Sequence, residues 1–190
     1  MDPLLKRGYQ SRRKLLRIIS GDRKIGDMTG STWEARDIGI RQAISDDAPV
    51  IFEIHVDSVT HLCAADYTEE QIRRWFDGRS PENYRGAIEA GAIWVAERAG
   101  RALGYTEFFP GEITSLFVRS ATAGRGLGSL LLTFALERAS HGHPGPIRLE
   151  ATMNGQPFYR KHGFSKIGEA SLVRPSGLRL ETVLMERPHA

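Results

Sequence analysis

Residues 116–136 read LFVRSATAGRGLGSLLLTFAL, and this stretch decides the fold that we expect. It begins with a short apolar segment typical of a strand, passes through a glycine-rich loop, and ends in an apolar run with helical spacing. Glycine has no Cβ, so backbone N–H groups can crowd around an anion, and a helix start adds roughly half a positive charge. The pattern predicts a phosphate-binding site between a strand and a helix.

The predicted phosphate site consists of the loop and the start of the following helix. Its main-chain N–H groups are the expected donors, and one arginine side chain can add a contact. A tight turn would also explain the glycines, but three glycines at alternate positions before so apolar a helix favour an anion site. The residues concerned are Gly124, Arg125, Gly126, Leu127, Gly128 and Ser129.

Two nucleotide-binding folds use similar loops. A dinucleotide fold needs G-x-G-x-x-G and an acidic residue further along, and Glu150 stands at a suitable position. The third glycine would be residue 129, which is Ser129, and the loop follows several predicted antiparallel strands rather than the first strand of a βαβ unit. A P-loop is excluded more firmly, because no Gly-Lys-Ser/Thr follows. A nucleotide-dependent dehydrogenase is therefore a disfavoured alternative.

The rest of the chain predicts a mixed α/β domain. An extended segment from Ile38 leads into a helix that we expect Ser45 to cap, with His55 as a satisfied histidine on its apolar face. Thr68 is expected to cap a second helix, and Gly100 suits a hairpin turn. Strands are predicted at residues 92–97, 102–109, 113–118, 147–152, 164–170 and 178–185.

Composition predicts one folded domain without a membrane span. The 190 residues are 41% apolar and 26% charged, which suits a single compact domain. No apolar run reaches the roughly 18 residues that a membrane span needs, and the N-terminus lacks the core of a secretion signal. Cys63 is the single cysteine, so no intramolecular disulfide can form, and we expect it to be buried. These features predict a soluble, cytoplasmic protein.

Positive charge is concentrated at the N-terminus. The first 41 residues carry ten Lys or Arg and five Asp or Glu, a net +5, whereas the remainder carries −2. We interpret residues 1–35 as a basic, partly flexible extension and residues 36–190 as the folded domain. Such an extension could touch nucleic acid, an anionic membrane or an organelle importer, but we favour a loosely ordered appendage and do not expect nucleic-acid binding.

The sequence resembles the GNAT superfamily of N-acetyltransferases over residues 38–185. Residues 40–48 are similar to the family's first strand and helix start, and residues 116–131 to its acetyl-CoA signature. Asn154 with residues 158–164 is similar to the C-terminal part of that signature. Two positions depart from the family: Ala123 replaces a usual Gln or Arg, and Pro157 replaces a small residue. Neither affects the main-chain donors, so we expect altered affinity and not lost binding.

The resemblance implies an α/β, GNAT-like acyl-CoA N-acyltransferase fold. A central, mostly antiparallel sheet would splay between its fourth and fifth strands and be flanked by helices. The pantetheine arm of acetyl-CoA would pair with the main chain of Phe117 and Val118, and one N–H there would polarise the thioester carbonyl. Asn154 would bind the pantetheine amides. The remaining residues that the resemblance implies for acetyl-CoA are Leu116, Phe158, Tyr159 and Lys161.

Acetyl transfer to an amine needs a base for the ammonium proton and an acid for the departing thiolate. Tyr159 is the expected acid, because a phenol of reference pKa about 10 stays protonated at neutral pH. Its alternative role is that of a packed aromatic. Glu107 and Glu112 are the candidate bases, while Thr114 and Ser115 leave room for a water-relayed path.

The sequence therefore predicts an acetyl-CoA-dependent N-acetyltransferase. It would act on a primary amine of a small molecule, peptide or protein by direct attack in a ternary complex. A non-catalytic acyl-CoA-binding regulatory module is the alternative function. Both functions are compatible with a homodimer. The acceptor would be selected by the last two strands and by residues around the second helix, namely Asp66, Tyr67, Glu70, Trp75 and Phe76.

A metal site is not expected. His141 and His143 flank Gly142, but no cysteine or carboxylate lies at ligand spacing from them. A loop that ends a helix explains this tripeptide better.

Overall fold

The computed structural model describes residues 37–188, so the predicted N-terminal extension, residues 1–35, lies outside the described residues. The strands are β1 (Gly39–Gln42), β2 (Ile93–Arg98), β3 (Arg101–Phe109), β4 (Glu112–Val118), β5 (Ile147–Thr152), β6 (Ser165–Val173) and β7 (Arg179–Arg187). The α-helices are α1 (Ala48–Leu62), α2 (Glu69–Arg74), α3 (Glu82–Glu89), α4 (Leu127–Ser140) and α5 (Gln156–Lys161). All predicted strands are present, with boundaries shifted by three residues at most.

The sheet has the strand order β1-β2-β3-β4-β5-β7-β6. Neighbouring strands are antiparallel, except that β4 and β5 run parallel. The parallel pairing covers only Glu112 with Arg148 and Ile113 with Leu149, after which the two strands separate. The predicted mixed sheet, splayed between its fourth and fifth strands, is confirmed.

A β-bulge in β4 lies where the separation begins. Glu107 of β3 pairs with Ser115, and the next residue, Phe108, pairs with Ile113, so Thr114 is an extra residue in β4. A bulge bends the strand that carries it. The bend turns the second half of β4 away from β5 and leaves a gap between them.

Helices cover both faces of the sheet. On one face, α1 and α3 pack through residues such as Ile51 and Tyr84 against Val95 of β2 and Tyr105 of β3. On the other face, Leu131 of α4 packs against β2, β3 and β4. No helix within residues 37–188 has the length and apolar character needed to cross a membrane.

Two local predictions have different outcomes. Thr68 caps α2 as predicted, because its hydroxyl accepts a hydrogen bond from the Gln71 N–H at 3.2 Å. The prediction that Ser45 caps α1 is wrong, because Ser45 lies in a 3-10 turn and α1 begins at Ala48. The Asp47 carboxylate binds the Arg41 guanidinium at 2.6 and 2.8 Å and the Ile44 N–H at 2.8 Å. Asp47 thereby holds the turn before α1 onto β1.

Candidate active site

The gap beside β4 exposes main-chain groups of alternate residues. The Arg119 N–H donates to Leu103 O at 2.8 Å, so the main-chain groups of Arg119 face β3. Because these groups alternate along an antiparallel strand, those of Phe117 also face β3, and those of Leu116 and Val118 face the gap. The prediction that the Phe117 main chain holds pantetheine is therefore corrected: within residues 37–188, the main-chain groups that face the gap are those of Leu116 and Val118.

The glycine-rich loop leads into α4 with several N–H donors unused by the helix. The first helical bond runs from the Leu130 N–H to Gly126 O at 3.0 Å. The N–H groups of Leu127, Gly128 and Ser129 consequently have no acceptor within the helix. The motif suggests that Gly128 and Ser129 belong to the loop. Because α4 begins at Leu127, they lie instead in the first turn of the helix.

The conformation of the loop explains two of its glycines. Gly124 has φ of 72° and Gly126 has φ of 91°, in the left-handed region that residues with a Cβ rarely adopt. A Cβ built on Gly124 would meet no atom within 4 Å, and Arg125 is exposed beside it. Open space next to unused N–H donors fits the pyrophosphate of a CoA species.

Helix α5 packs against the first turn of α4. The Phe158 ring lies 3.5 Å from the position of a Cβ on Gly128, and the imidazole of His162 is 3.0 Å from the Ser129 hydroxyl. The nearby side chain of Lys161 is exposed. The two parts of the predicted acetyl-CoA signature are thus brought together.

Asn154 lies in the turn between β5 and α5, across the gap from β4. The Cys63 thiol donates to its Oδ1 at 3.2 Å, which orients the amide and leaves the NH₂ group available. Cys63 is buried, as predicted, and burial raises the pKa of its thiol to about 11. Its contact with Asn154 was not predicted, because no spacing in the sequence relates residues so far apart.

Tyr159 lies on α5 and packs against the apolar cluster formed by β4, β5 and α4. Its ring packs against Phe158 and Phe164 and lies 3.4 Å from the position of a Cβ on Gly155. The hydroxyl makes no hydrogen bond within residues 37–188. Burial raises the pKa of Tyr159 above its ordinary value, so the phenol keeps its proton at neutral pH.

The two candidate bases have different surroundings. Glu107 is half-buried on β3 and accepts a hydrogen bond from the Ser115 hydroxyl at 3.3 Å. Burial raises the pKa of Glu107 above its usual range. Glu112 is exposed at the end of β4 that is still paired with β5.

Comparison with known proteins identifies the family. A family model described as the acetyltransferase (GNAT) domain matches residues 63–179, which is more than half of the chain. The chain belongs to the GNAT acetyltransferase family. The predicted enzyme class, acetyltransferase, is thereby confirmed, with acetyl-CoA as the acetyl donor.

Solved structures of this family share the fold of this GNAT acetyltransferase. A GCN5-related N-acetyltransferase from Rhodopseudomonas palustris is 23% identical, with a TM-score of 0.72 over 86% of this chain and 100% of the other. The PaiA N-acetyltransferase from Thermoplasma acidophilum, solved with coenzyme A, is 20% identical, with a TM-score of 0.64 over 80% and 99%. YncA from Salmonella typhimurium, solved with acetyl-CoA, is 22% identical, with a TM-score of 0.59 over 80% and 96%. No curated protein matches the chain significantly.

A polar cluster lies behind β4, on the face that α1 covers. The His55 ring stacks on Phe117 with centroids 3.9 Å apart, and its Nδ1 lies 2.7 Å from the Tyr84 hydroxyl and 3.3 Å from that of Tyr105. The expectation of a satisfied core histidine holds for Nδ1 only, because the buried Nε2 has no hydrogen-bond partner. Burial lowers the pKa of His55 well below its ordinary value, so the ring is neutral.

The residues expected to select the acceptor divide into core and surface. Trp75 is 1% exposed and Tyr67 is 6% exposed, so both belong to the core. The Tyr67 hydroxyl donates to Glu181 O at 2.6 Å and accepts from the Met153 N–H at 3.0 Å. Phe76 is half-buried, whereas Asp66 and Glu70 are exposed.

The His141-Gly142-His143 tripeptide has a structural explanation. A Cβ on Gly111 would lie 2.6 Å from the His143 ring, so this ring fills the space that the glycine leaves. No group of three or more His, Cys, Asp or Glu side chains that could hold a metal occurs within residues 37–188.

Proposed function

We propose that this GNAT acetyltransferase transfers the acetyl group of acetyl-CoA directly to a primary amine in a ternary complex. The observation that carries the proposal is the unpaired half of β4 next to the unused N–H donors at the start of α4. The donors at residues 127–129 would bind the pyrophosphate. Leu116 and Val118 would pair with the pantetheine arm, and the Asn154 NH₂ would bind one of its amides.

The chemistry needs no side-chain nucleophile. The amine nitrogen forms a bond to the acetyl carbonyl carbon while the bond from that carbon to the CoA sulphur breaks. A gap-facing N–H of β4 stabilises the charge on the carbonyl oxygen. The ammonium proton leaves to a base before attack. Tyr159 donates its phenolic proton to the departing thiolate, and the second proton that the nitrogen loses on amide formation restores the phenol.

Glu107 is the better candidate for the base. Its raised pKa makes it a stronger proton acceptor than an ordinary carboxylate, and it lies on β3 opposite Ser115, beside the bulge that opens the gap. Glu112 lacks both features, although water could relay a proton to it from the amine. The two candidates are separable by substitution.

Titration calorimetry and a thiol-release assay test the proposal together. Acetyl-CoA and CoA should bind, and NADH should not; no detectable binding of any CoA species would refute the proposed site. Thiol release from acetyl-CoA should then rise with at least one member of a panel of primary amines. Binding without amine-stimulated release would instead support the non-catalytic acyl-CoA-binding module.

We also propose a cytoplasmic location. The support is the single buried Cys63, which suits a reducing compartment.

A further inference from the structure

Two arginines with no carboxylate partner lie in the polar cluster behind β4. Arg79 follows α2, and Arg174 lies in the turn between β6 and β7. These segments touch, because a Cβ on Gly78 would lie 3.6 Å from Pro175, and the Arg74 guanidinium donates to Ser176 O at 3.3 Å. Arg79 and Arg174 are the chain neighbours of Gly78 and Pro175, so they lie next to the point at which the two loops meet.

Arg174 is buried with one unpaired nitrogen, Nε. It is 9% exposed, its Nε has no hydrogen-bond partner, and its guanidinium carbon lies 5.9 Å from the centroid of the Trp75 ring. Burial and the nearby charge of Arg79 lower the pKa of Arg174 to about 10, so it stays charged at neutral pH. Buried charges in folded proteins are normally paired, so a buried guanidinium with an unpaired Nε is a candidate anion site.

The surroundings of this arginine pair are deficient in negative charge. Neither arginine makes an ion pair within residues 37–188. The positive charge of Arg79 acts on the Tyr84 hydroxyl, whose pKa it lowers, and on His55, which is neutral. Arg79 opposes part of the rise in the pKa of Glu107, and the two side chains form no direct ion pair.

This location differs from the predicted phosphate site. The arginine pair adjoins His55 and Tyr84, which pack on the α1 face of the sheet, whereas α4 and its N–H donors lie on the opposite face. The cluster is linked to the gap through Phe117, whose ring stacks on His55. An anion bound by the pair would therefore be part of the acceptor and not of CoA.

We propose that the acceptor amine carries an anionic group, a carboxylate or a phosphonate, that binds between Arg79 and Arg174. Guanidinium groups bind both kinds of oxyanion through charge-assisted hydrogen bonds. The ammonium group of the same molecule would lie towards Glu107, which makes the preferred acceptor an amino acid or a similar zwitterion. This inference rests on the proposed function, because it names the substrate class of the same site.

Matched acceptors test the inference. Thiol release from acetyl-CoA is measured with the common L-amino acids, with their amides, and with 2-aminoethylphosphonate against ethylamine. The best anionic acceptor should exceed its neutral counterpart by about tenfold or more in kcat/KM, as expected for a charge-assisted contact. An equal or higher kcat/KM for the neutral acceptors would overturn the inference. The comparison of 2-aminoethylphosphonate with the amino acids shows whether the site prefers a phosphonate or a carboxylate.

Substitution of the arginines locates the contact. Arg79→Gln and Arg174→Gln should each lower kcat/KM for the anionic acceptor by about 10- to 100-fold, and that for its neutral counterpart by less than about threefold. Arg85→Gln, on the exposed side of α3, is the matched control and should change neither. Arg79 is half-buried, so Arg79→Gln remains informative if Arg174→Gln does not fold. Equal losses for both acceptors would overturn the assignment.

Calorimetry separates this inference from the proposed function. The anionic and neutral acceptors are titrated into the complex of the full chain with CoA. Tighter binding of the anionic compound, lost in Arg79→Gln, would support the anion site even if no amine were acetylated. Turnover of amines with no preference for anions in binding would refute the anion site and leave the proposed function intact.

Discussion

Burial raises the pKa values of Tyr159 and Glu107, the proposed acid and base. Removing a charged form from water raises the pKa of a phenol or a carboxyl group. For Tyr159 the effect keeps the proton on the proposed acid, and for Glu107 it would strengthen the proposed base. The same physical cause therefore supports two opposite proposed roles.

Replacing Tyr159 by Phe removes only the hydroxyl. We expect kcat to fall by about 100-fold, the typical contribution of a general acid, with little change in the Kd of acetyl-CoA. Thermal unfolding should be nearly unchanged, because the hydroxyl makes no hydrogen bond within the described residues. Unaltered kcat would show that Tyr159 is only a packed aromatic.

Glu107→Gln should lower activity and raise stability at high pH. We expect kcat to fall by about 100-fold and the acid limb of the kcat/KM pH profile to disappear. Because its pKa is raised in the folded state, Glu107 stabilises the fold at low pH and loses that contribution as pH rises through the folded-state pKa. The Tm of the variant relative to wild type should therefore become more positive as the pH rises above the ordinary pKa of a glutamate.

Glu112→Gln is the control for Glu107. A loss of the acid limb in Glu112→Gln, with a normal profile in Glu107→Gln, would move the role of base to Glu112.

At the scale of elements, β4 and the start of α4 build the site from main-chain groups. The bulge at Thr114 and the unused donors at residues 127–129 are properties of the backbone. Side-chain substitution tests them less directly than methods that observe amides or backbone conformation.

Amide hydrogen exchange tests the alternation along β4. Addition of CoA should increase protection at Leu116 and Val118, whose N–H groups face the gap. Phe117 should already be protected without ligand, since its N–H faces β3. The same increase at all three amides, measured by NMR, would contradict this assignment.

Gly124→Ala and Gly142→Ala form a matched pair. Both glycines have positive φ, 72° and 69°, and a Cβ at either position meets no atom within 4 Å. Each substitution should cost about 1–2 kcal/mol of unfolding free energy through backbone strain. Only Gly124→Ala should also weaken CoA binding, by about tenfold, because it displaces phosphate donors. Equal CoA affinities in the two variants would argue against the loop as the phosphate site.

At the scale of the whole molecule, residues 37–188 form a complete sheet covered by helices on both faces. We expect a chain that lacks residues 1–30 to keep its kcat and its affinity for acetyl-CoA. The measurement is a comparison of thiol release by the shortened and full chains with the same amine. Lost activity would assign residues 1–30 a part in the site.

Much of this architecture was predictable from the sequence. The strand at 113–118, the glycines and the helix after them are local signals, and they located the predicted CoA site. The contacts of Cys63 with Asn154 and of Arg74 with the turn that holds Arg174 were not predictable, because they join residues that only the folded sheet brings together. The prediction for Ser45 was wrong because a 3-10 turn, with Asp47 bound to the Ile44 N–H, precedes the helix and moves its start to Ala48.

The bulge at Thr114 also fixes the positions of the main-chain groups along β4. It sets which amides point into the gap, and the fixed number of residues from Thr114 to Leu127 sets how far those amides lie from the phosphate donors. Inserting or deleting one residue after the bulge would exchange the directions of Leu116, Phe117 and Val118 and shift the register against the helix. Substitutions that preserve chain length should therefore be tolerated here far better than any change in length.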